Sequence, residues 1–299
     1  MALVDPFQEI TNDMRATFRV QREWAQRRGL LLLLAYFFTG AGAGTWLFSW
    51  YFVFPSGLVL AFIIAAAGGV AHLLFLGRPQ RFWRIVVRVQ SSWVSRGLVG
   101  MGIFMAGALL YMAALWTQGE GTLLGQGALV VSILGAIWLL AYKGLVWAVC
   151  KAIPFWNTAL LPILYITYGL RGGAAVLLVS LPFLGFGTAL EPLELIKLWI
   201  AVSSAALILF YLAVMSSSEV TARMSVSQLM GGPVSLAFYL GVVLFGLVIP
   251  IGIGLLGNFF PLAVPLLVLV GLSSLVGDFY TTYCVARVGV YRPLAFPVF

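Results

Sequence analysis

Apolar residues occur along this chain in long continuous runs rather than in short alternating patterns. About 20 apolar helical residues cross a hydrocarbon core of about 30 Å, and runs of that length recur along the chain. Stretches such as Leu30–Phe38 and Ala128–Leu140 lack the apolar–polar alternation of a membrane barrel. The pattern therefore predicts an all-α integral membrane protein with eight transmembrane helices, at 30–53, 56–76, 98–118, 125–150, 158–183, 193–214, 233–256 and 262–287.

The composition agrees with lipid as the main solvent of the chain. Hydrophobic residues make up 62% of it and charged residues only 9%, whereas ordinary soluble domains are roughly a quarter charged. We therefore divide the chain into an interfacial segment at 1–28, an eight-helix transmembrane domain at 29–292 and a tail at 293–299. Charged residues precede the first apolar run without a cleavage motif, so we expect no removable signal peptide.

The segment before the first helix has an amphipathic pattern. Phe7, Ile10, Met14 and Phe18 recur at helical spacing, while arginines lie mainly on other faces. An interfacial helix requires this distribution. The segment is either an anchor to the membrane surface or a docking helix for a peripheral subunit.

Positive charge is concentrated on one side of the predicted bundle. Ten arginines precede the first helix or lie in the loop after the second: Arg15, Arg19, Arg22, Arg27, Arg28, Arg78, Arg81, Arg84, Arg88 and Arg96. Loops on the other side offer mostly Glu120, Glu191, Glu194 and Lys197. The positive-inside rule then places both termini in the cytoplasm and the protein in the cell inner membrane. The net charge of +8 reflects this topology and indicates no nucleic-acid partner.

The chain lacks the ligands for a redox centre of its own. Cys150 and Cys284 are too few for an iron–sulfur cluster, and His72 is the only histidine, which excludes haem held by two histidines. We expect no metal site, haem or cluster in this chain. If electrons pass through it, partner subunits supply the metal centres.

Ionisable residues inside a bilayer are costly and are functional candidates by default. Arg171 and Asp278 lie near the middle of the fifth and eighth predicted spans, so they form either a structural ion pair or a proton-transfer element. Lys143 lies about two turns from the end of the fourth span. It either extends its ammonium to the interface or belongs to the same path.

His72 and Tyr142 are candidates for contact with a carbonyl-bearing ligand. His72 is either a packing residue or a group that exchanges protons near neutral pH and can donate to a quinone carbonyl. A phenol such as Tyr142 can donate a hydrogen bond while its ring packs against an apolar headgroup. Both lie toward the arginine-rich side.

Three sequence motifs resemble the NrfD/PsrC family. Residues 76–84 (LGRPQRFWR) and 92–97 (SWVSRG) resemble a double motif of the family, which includes the membrane subunit of polysulfide reductase. Residues 142–144 (YKG) with 153–157 (IPFWN) resemble a passage at the end of its fourth helix. Residues 277–280 (GDFY) with 287–293 (RVGVYRP) resemble the last helix of several members.

The resemblance implies two packed four-helix bundles and a quinone, menaquinone or ubiquinone, beside the fourth helix. Tyr142 matches a quinone-contacting tyrosine of the family, and we assign His72 and Arg78 to the same site. The implied partners are an iron–sulfur subunit and a molybdenum-type catalytic subunit, which the charge pattern places on the cytoplasmic face. The candidate docking residues are Arg81, Trp83, Arg84, Arg88, Trp93 and Arg96; alternatively, the arginines set topology and bind lipid phosphates.

Three functions are compatible with these observations. The first is a membrane anchor and quinone-reactive subunit of a respiratory oxidoreductase, without a catalytic centre of its own. The second is a secondary transporter whose path contains Arg171, Asp278 and Lys143. The third is a structural anchor without quinone chemistry.

Overall fold

The protein is an array of long apolar helices. A computed structural model describes residues 18–81, 83–184 and 190–293. The predicted amphipathic helix around Phe7, Ile10 and Met14 and most of the tail lie outside these residues. The helices are α1 (Gly29–Tyr51), α2 (Pro55–Phe75), α3 (Trp83–Val86), α4 (Trp93–Trp116), α5 (Leu123–Ala148), α6 (Leu160–Leu184), α7 (Leu190–Ser216), α8 (Val220–Gly231), α9 (Ala237–Leu256) and α10 (Val264–Arg287).

Eight of these helices are long and apolar enough to cross a membrane, which confirms the predicted number of spans. Local sequence explains where several begin. Pro55 occupies the first turn of α2, where its missing N–H costs nothing. The Ser92 hydroxyl accepts a hydrogen bond from the Ser95 amide at 3.3 Å and starts α4. This cap explains why α4 begins five residues before the predicted span.

The span α9 changes its helical pitch. Residues Ala237–Val248 form a π-helix and Ile249–Leu256 an α-helix. Pro250 stands four residues after Gly246 and has no N–H with which to satisfy the Gly246 carbonyl in an α-helical register. The Arg171 Nη1 donates to that carbonyl instead, at 2.9 Å. Pro250 therefore leaves a backbone acceptor available to a side chain of another helix.

The helices α1 and α6 form the centre of the array and are buried over most of their length. Each contacts the other and also α5 and α10. A side chain at Gly44 of α1 would overlap the backbone of Gly169 and Gly173 in α6. In lipid, close backbone packing of this kind drives helix association. The division into two four-helix bundles stays a prediction.

Both ends of the described chain meet at one face. Val20 pairs with Val290, and the Gln21 amide donates to the Gly289 carbonyl at 2.7 Å. We call this the basic face; its described arginines are Arg19, Arg22, Arg27, Arg28, Arg78, Arg81, Arg84, Arg88, Arg96, Arg223, Arg287 and Arg292. The opposite, acidic face includes Glu120 and Glu191. An even number of spans requires this arrangement, while the cytoplasmic location of the basic face stays a prediction.

Candidate functional site

A cavity of about 180 Å³ opens near the basic face between α1, α2, α4 and α5. Helical spacing brings its residues together: Leu32 and Tyr36 lie one turn apart on α1, and Leu139 and Tyr142 lie one turn apart on α5. Its walls are mostly apolar and include Leu73, Phe75, Leu98 and Met101. Such a lining with a few polar groups is typical of sites for small organic ligands. We call this space the basic-face cavity.

His72 lines this cavity and has a buried ring nitrogen without a hydrogen-bond partner among the described residues. Its Nδ1 lies 3.1 Å from the Gly68 carbonyl, which can only accept a hydrogen bond, so Nδ1 carries the proton. Nε2 of the neutral ring is then a hydrogen-bond acceptor. This atom is buried and has no partner among the described residues. The neutral ring is therefore suited to accepting a proton, and it would need a second proton before Nε2 could donate to a carbonyl.

Tyr36, which was not predicted from the sequence as a site residue, lies between His72 and Tyr142 and contacts both rings. The Tyr36 ring lies edge-on to both, with centroids 5.4 Å from His72 and 6.3 Å from Tyr142. All three side chains line the basic-face cavity. A side chain at Gly97 would overlap the Tyr142 ring, so Gly97 provides the space for that ring. The only sequence signal for Tyr36 is a phenol within the first apolar run.

The first family-like motif forms the rim of this cavity. Phe75 and Leu76 line it, whereas Arg78 is exposed and is not among the lining residues. Gly77 has φ of +70°, a left-handed conformation that turns the chain away from α2. The structure thus brings Tyr142 and His72 together and places Arg78 outside, on the adjoining surface.

The predicted docking residues fall into two groups. Arg81, Trp83, Arg84 and Arg88 are exposed, with the Arg84 guanidinium 5.4 Å from the centre of the Trp83 ring. Arg96 instead stabilises the loop. Its guanidinium lies 4.6 Å from the Trp93 ring centre and donates to the carbonyls of Val89 and Gln90 at 3.0 and 2.7 Å. The first group is the part available to a partner.

Arg171 and Asp278 meet in the interior between α6 and α10. The Arg171 Nε donates to Asp278 Oδ1 at 2.7 Å, and its Nη2 makes a shorter contact with the same oxygen. The Tyr168 ring centre lies 4.2 Å from the guanidinium carbon. Asp278 Oδ2 is buried and has no partner among the described residues. Each candidate role, ion pair or proton transfer, remains chemically available to this geometry.

The lysines of the spans are buried rather than extended to the surface. The Lys143 ammonium lies against Gly40 of α1 and 5.1 Å from the Tyr165 ring centre. Lys197 was assigned from sequence to the charge of the acidic-face loops, and that assignment was wrong. Because α7 begins at Leu190, Lys197 lies two turns inside the helix, where its Nζ donates to the Ser274 Oγ at 2.6 Å.

Comparison with known proteins gives a family match over nearly the whole chain and relatives over parts of it. A family described as polysulphide reductase, NrfD, matches residues 28–292. Protein NrfD of Escherichia coli K12 is 26% identical over 251 residues, which are 74% of this chain and 76% of that protein. A polysulfide reductase chain from Wolinella succinogenes is 22% identical over 223 residues, 68% of this chain and 70% of that protein. A sulfite dehydrogenase subunit from Allochromatium vinosum is 31% identical over 114 residues, 35% of either protein.

Proposed function

Since the chain belongs to the polysulphide reductase NrfD family, we propose that it is a quinone-reactive membrane subunit that exchanges electrons with an iron–sulfur partner. Two relatives are named as parts of oxidoreductases, sulfite dehydrogenase and polysulfide reductase. This chain is accordingly a membrane subunit of an oxidoreductase complex. The quinone, menaquinone or ubiquinone, and the identity of the partners are the proposal.

The observation that supports the quinone site is an apolar cavity lined by His72, whose buried Nε2 has no partner among the described residues. A buried polar atom without a partner costs about 1–3 kcal/mol. A ligand hydroxyl at Nε2 would remove that cost, while the apolar walls suit the ring and tail of a lipid-soluble molecule. The basic-face cavity therefore fits a quinol better than it fits a charged substrate.

The residues of this chain would hold the ligand at its oxygens. When bound, a quinol supplies two electrons and two protons on oxidation. Tyr142 donates its phenolic hydrogen to an oxygen of the ligand, and the neutral His72 accepts a proton at Nε2. Gly68 holds the imidazole in the tautomer that can do this.

The partner would dock on the basic face beside the cavity. Arg81, Arg84 and Arg88 offer exposed guanidinium groups, and Trp83 an exposed ring, on the loop that continues from the cavity rim. Arginine and tryptophan are enriched at the energetic centres of protein interfaces. We assign an iron–sulfur subunit to this surface, with a molybdenum-type catalytic subunit beyond it.

Replacement of Tyr142 tests the proposal. Y142F retains the ring but removes one hydrogen bond to the ligand, so quinone-linked turnover of the assembled complex should fall about tenfold. Decylubiquinol and menadiol serve as separate electron donors, and an artificial dye measures the catalytic partner alone. The dye activity should not change.

Tyr239 provides the matched control, since it is an exposed tyrosine of α9 outside the cavity. Y239F should match the wild type in both assays. Equal loss of dye and quinone activity in Y142F, or equal effects of Y142F and Y239F, would show that Tyr142 does not contact the quinone. If the wild-type complex showed no quinone-linked turnover, the chain would be a structural anchor without quinone chemistry.

A further inference from the structure

A small cavity of about 130 Å³ lies at the basic face, where the segment before α1 meets α8 and the end of α10. The polar residues that line it are Arg22, Arg287 and Gln228. Its apolar lining consists of Val20, Pro233, Val234 and Val288. None of these residues lines the basic-face cavity, so the two spaces are separate. We call this one the arginine cavity.

Three separate parts of the chain bring the polar residues of the arginine cavity together. Arg22 follows Gln21, whose amide donates to the Gly289 carbonyl at 2.7 Å. Arg287 is the last residue of α10, and its Nη1 donates to the Gln21 carbonyl at 3.4 Å. Gln228 lies in the last turn of α8. Backbone pairing between the two described chain ends therefore holds both arginines at one cavity.

The arginines of this cavity form no salt bridge within the described part of the chain. The described acidic residues of the basic face are Glu23 and Glu219. Glu23 pairs with Arg19 at 2.5 Å, and the charge of Arg22 acts on it less strongly. Glu219 pairs with Arg292 at 2.6 Å. Two cationic residues therefore line one cavity, while the nearby carboxylates are bound to other arginines.

The composition of the arginine cavity favours an anion with several acceptor oxygens. A guanidinium has five N–H donors in a planar arrangement that matches carboxylate and phosphate groups. The amide of Gln228 adds two more donors. Sites for drug-sized molecules measure roughly 300–1,000 Å³. The arginine cavity is smaller, so it suits one anionic group rather than a whole organic molecule.

The arginine cavity lies at the level where transmembrane spans begin and end. Arg287 ends α10, and Val234 lies three residues before α9 begins. The neighbouring positions on α8 and α9 include exposed large apolar side chains, namely Met230, Leu236, Tyr239 and Leu240. Tyrosine is enriched at the interface between lipid and water. This surface suits lipid chains, which a carboxylate from a peripheral subunit would not require.

We propose that the arginine cavity binds the phosphate group of an anionic membrane lipid. Arg22 and Arg287 share the phosphate oxygens, Gln228 donates a further hydrogen bond, and the acyl chains lie along the start of α9. Basic pockets beside transmembrane helices bind anionic lipid headgroups in the same way. The bound phosphate links the segment before α1 with α8 and α10. This lipid site does not depend on the proposed quinone function.

Binding of dihexanoyl phosphatidylglycerol to the delipidated, assembled complex tests the proposal. Native mass spectrometry measures the bound lipid and its Kd. R22Q should weaken binding about tenfold, because it removes a charge-assisted hydrogen bond to the phosphate. R22K should recover part of the loss. Arg22 is exposed, so its replacement should leave the melting temperature without lipid unchanged.

R223Q is the matched control, since it removes an exposed arginine of α8 that does not line the cavity. It should retain the wild-type Kd. R287Q should weaken binding as R22Q does, although it also removes the contact with the Gln21 carbonyl. The lipid should raise the melting temperature of the wild type and R223Q more than that of R22Q.

Equal lipid affinity in the wild type, R22Q and R287Q would overturn the site, as would equal weakening by R22Q and R223Q. Inorganic phosphate is the second probe. If it bound as tightly as the lipid, the ligand would be free phosphate and the membrane source would be overturned. Loss of a peripheral subunit from R22Q with unchanged lipid binding would assign Arg22 to a carboxylate of that subunit instead.

Discussion

The buried pair of Arg171 and Asp278 shows how one residue can hold several helices together. Arg171 lies on α6, bonds to Asp278 on α10 and donates to a carbonyl of α9. Removing one member of a buried pair leaves the other charge uncompensated, which costs about 3–5 kcal/mol. The pair therefore helps to determine which helices pack together, even if its net contribution to the free energy of unfolding is small.

Asp278→Asn should lower the thermal stability of the purified protein strongly, because Arg171 would lose its carboxylate partner. Glu219→Gln is the control, since it breaks the exposed pair with Arg292, worth about 0–1 kcal/mol. Thermal unfolding in one detergent measures both. The double variant Arg171→Met/Asp278→Leu should recover part of the loss. Similar melting temperatures for D278N and E219Q would contradict a structural role for the buried pair.

The sequence was sufficient to identify single residues as candidates for function, but not to predict which groups they contact. His72, Tyr142, Arg171 and Asp278 were identified because polar groups in apolar runs are conspicuous. The tautomer of His72 depends on the Gly68 carbonyl one turn away, which requires coordinates. Tyr36 was missed because a tyrosine among apolar residues also suits ordinary packing. Lys197 lies within the predicted span 193–214 but was grouped with the loop charges because it is near the start of that span, and its burial depends on a contact with Ser274 of another helix.

The crossing of α9 and α10 depends on two glycines. A side chain at Gly277 would overlap the backbone of Gly246, the residue whose carbonyl accepts from Arg171. Packing at this crossing therefore sets the position of the Arg171 acceptor. The π-helix was not predicted, because a run that is apolar on every side has no hydrophobic period from which its pitch could be inferred.

Gly277→Ala should destabilise the protein by about 1–3 kcal/mol, as overpacking does in other tight cores. Gly252→Ala is the matched control, since a side chain at Gly252 of α9 meets open space. Thermal unfolding and the yield of assembled complex measure the effect. A G277A protein as stable as G252A would mean that α9 and α10 separate without cost.

For the whole molecule, both described chain ends and the basic-face cavity share one face. The segments around Val20 and Val290 pair there, and Trp24 packs against Trp147 and Trp156 with ring centres 5.8 and 5.7 Å apart. Exposed arginines surround this packed region. A partner that docks on the basic face would lie beside the cavity rather than across the membrane from it.

In the triple variant R81E/R84E/R88E, the amount of iron–sulfur partner that co-purifies with the chain should fall about tenfold or more, because like-charge contacts at an interface cost several kcal/mol. R223E, an exposed arginine of α8 on the same face, controls for charge alone. Quantitative mass spectrometry of the purified complex measures the subunit ratio. Unchanged partner content with altered membrane topology would favour the alternative role of these arginines in orientation and lipid binding.

The sequence by itself determined the solvent, the number of spans and the family. Long apolar runs can be recognised without knowing how the helices pack, because lipid solvates the whole outer surface of a transmembrane helix. The motifs at 76–84 and 92–97 are short, continuous stretches of sequence and can be recognised in the same way. Only the tertiary structure decided which faces meet. In lipid, the packed and exposed faces of a helix are similarly apolar, so hydrophobic pattern does not specify its rotation. The Tyr36–His72–Tyr142 cluster and the burial of Lys197 both depend on that rotation.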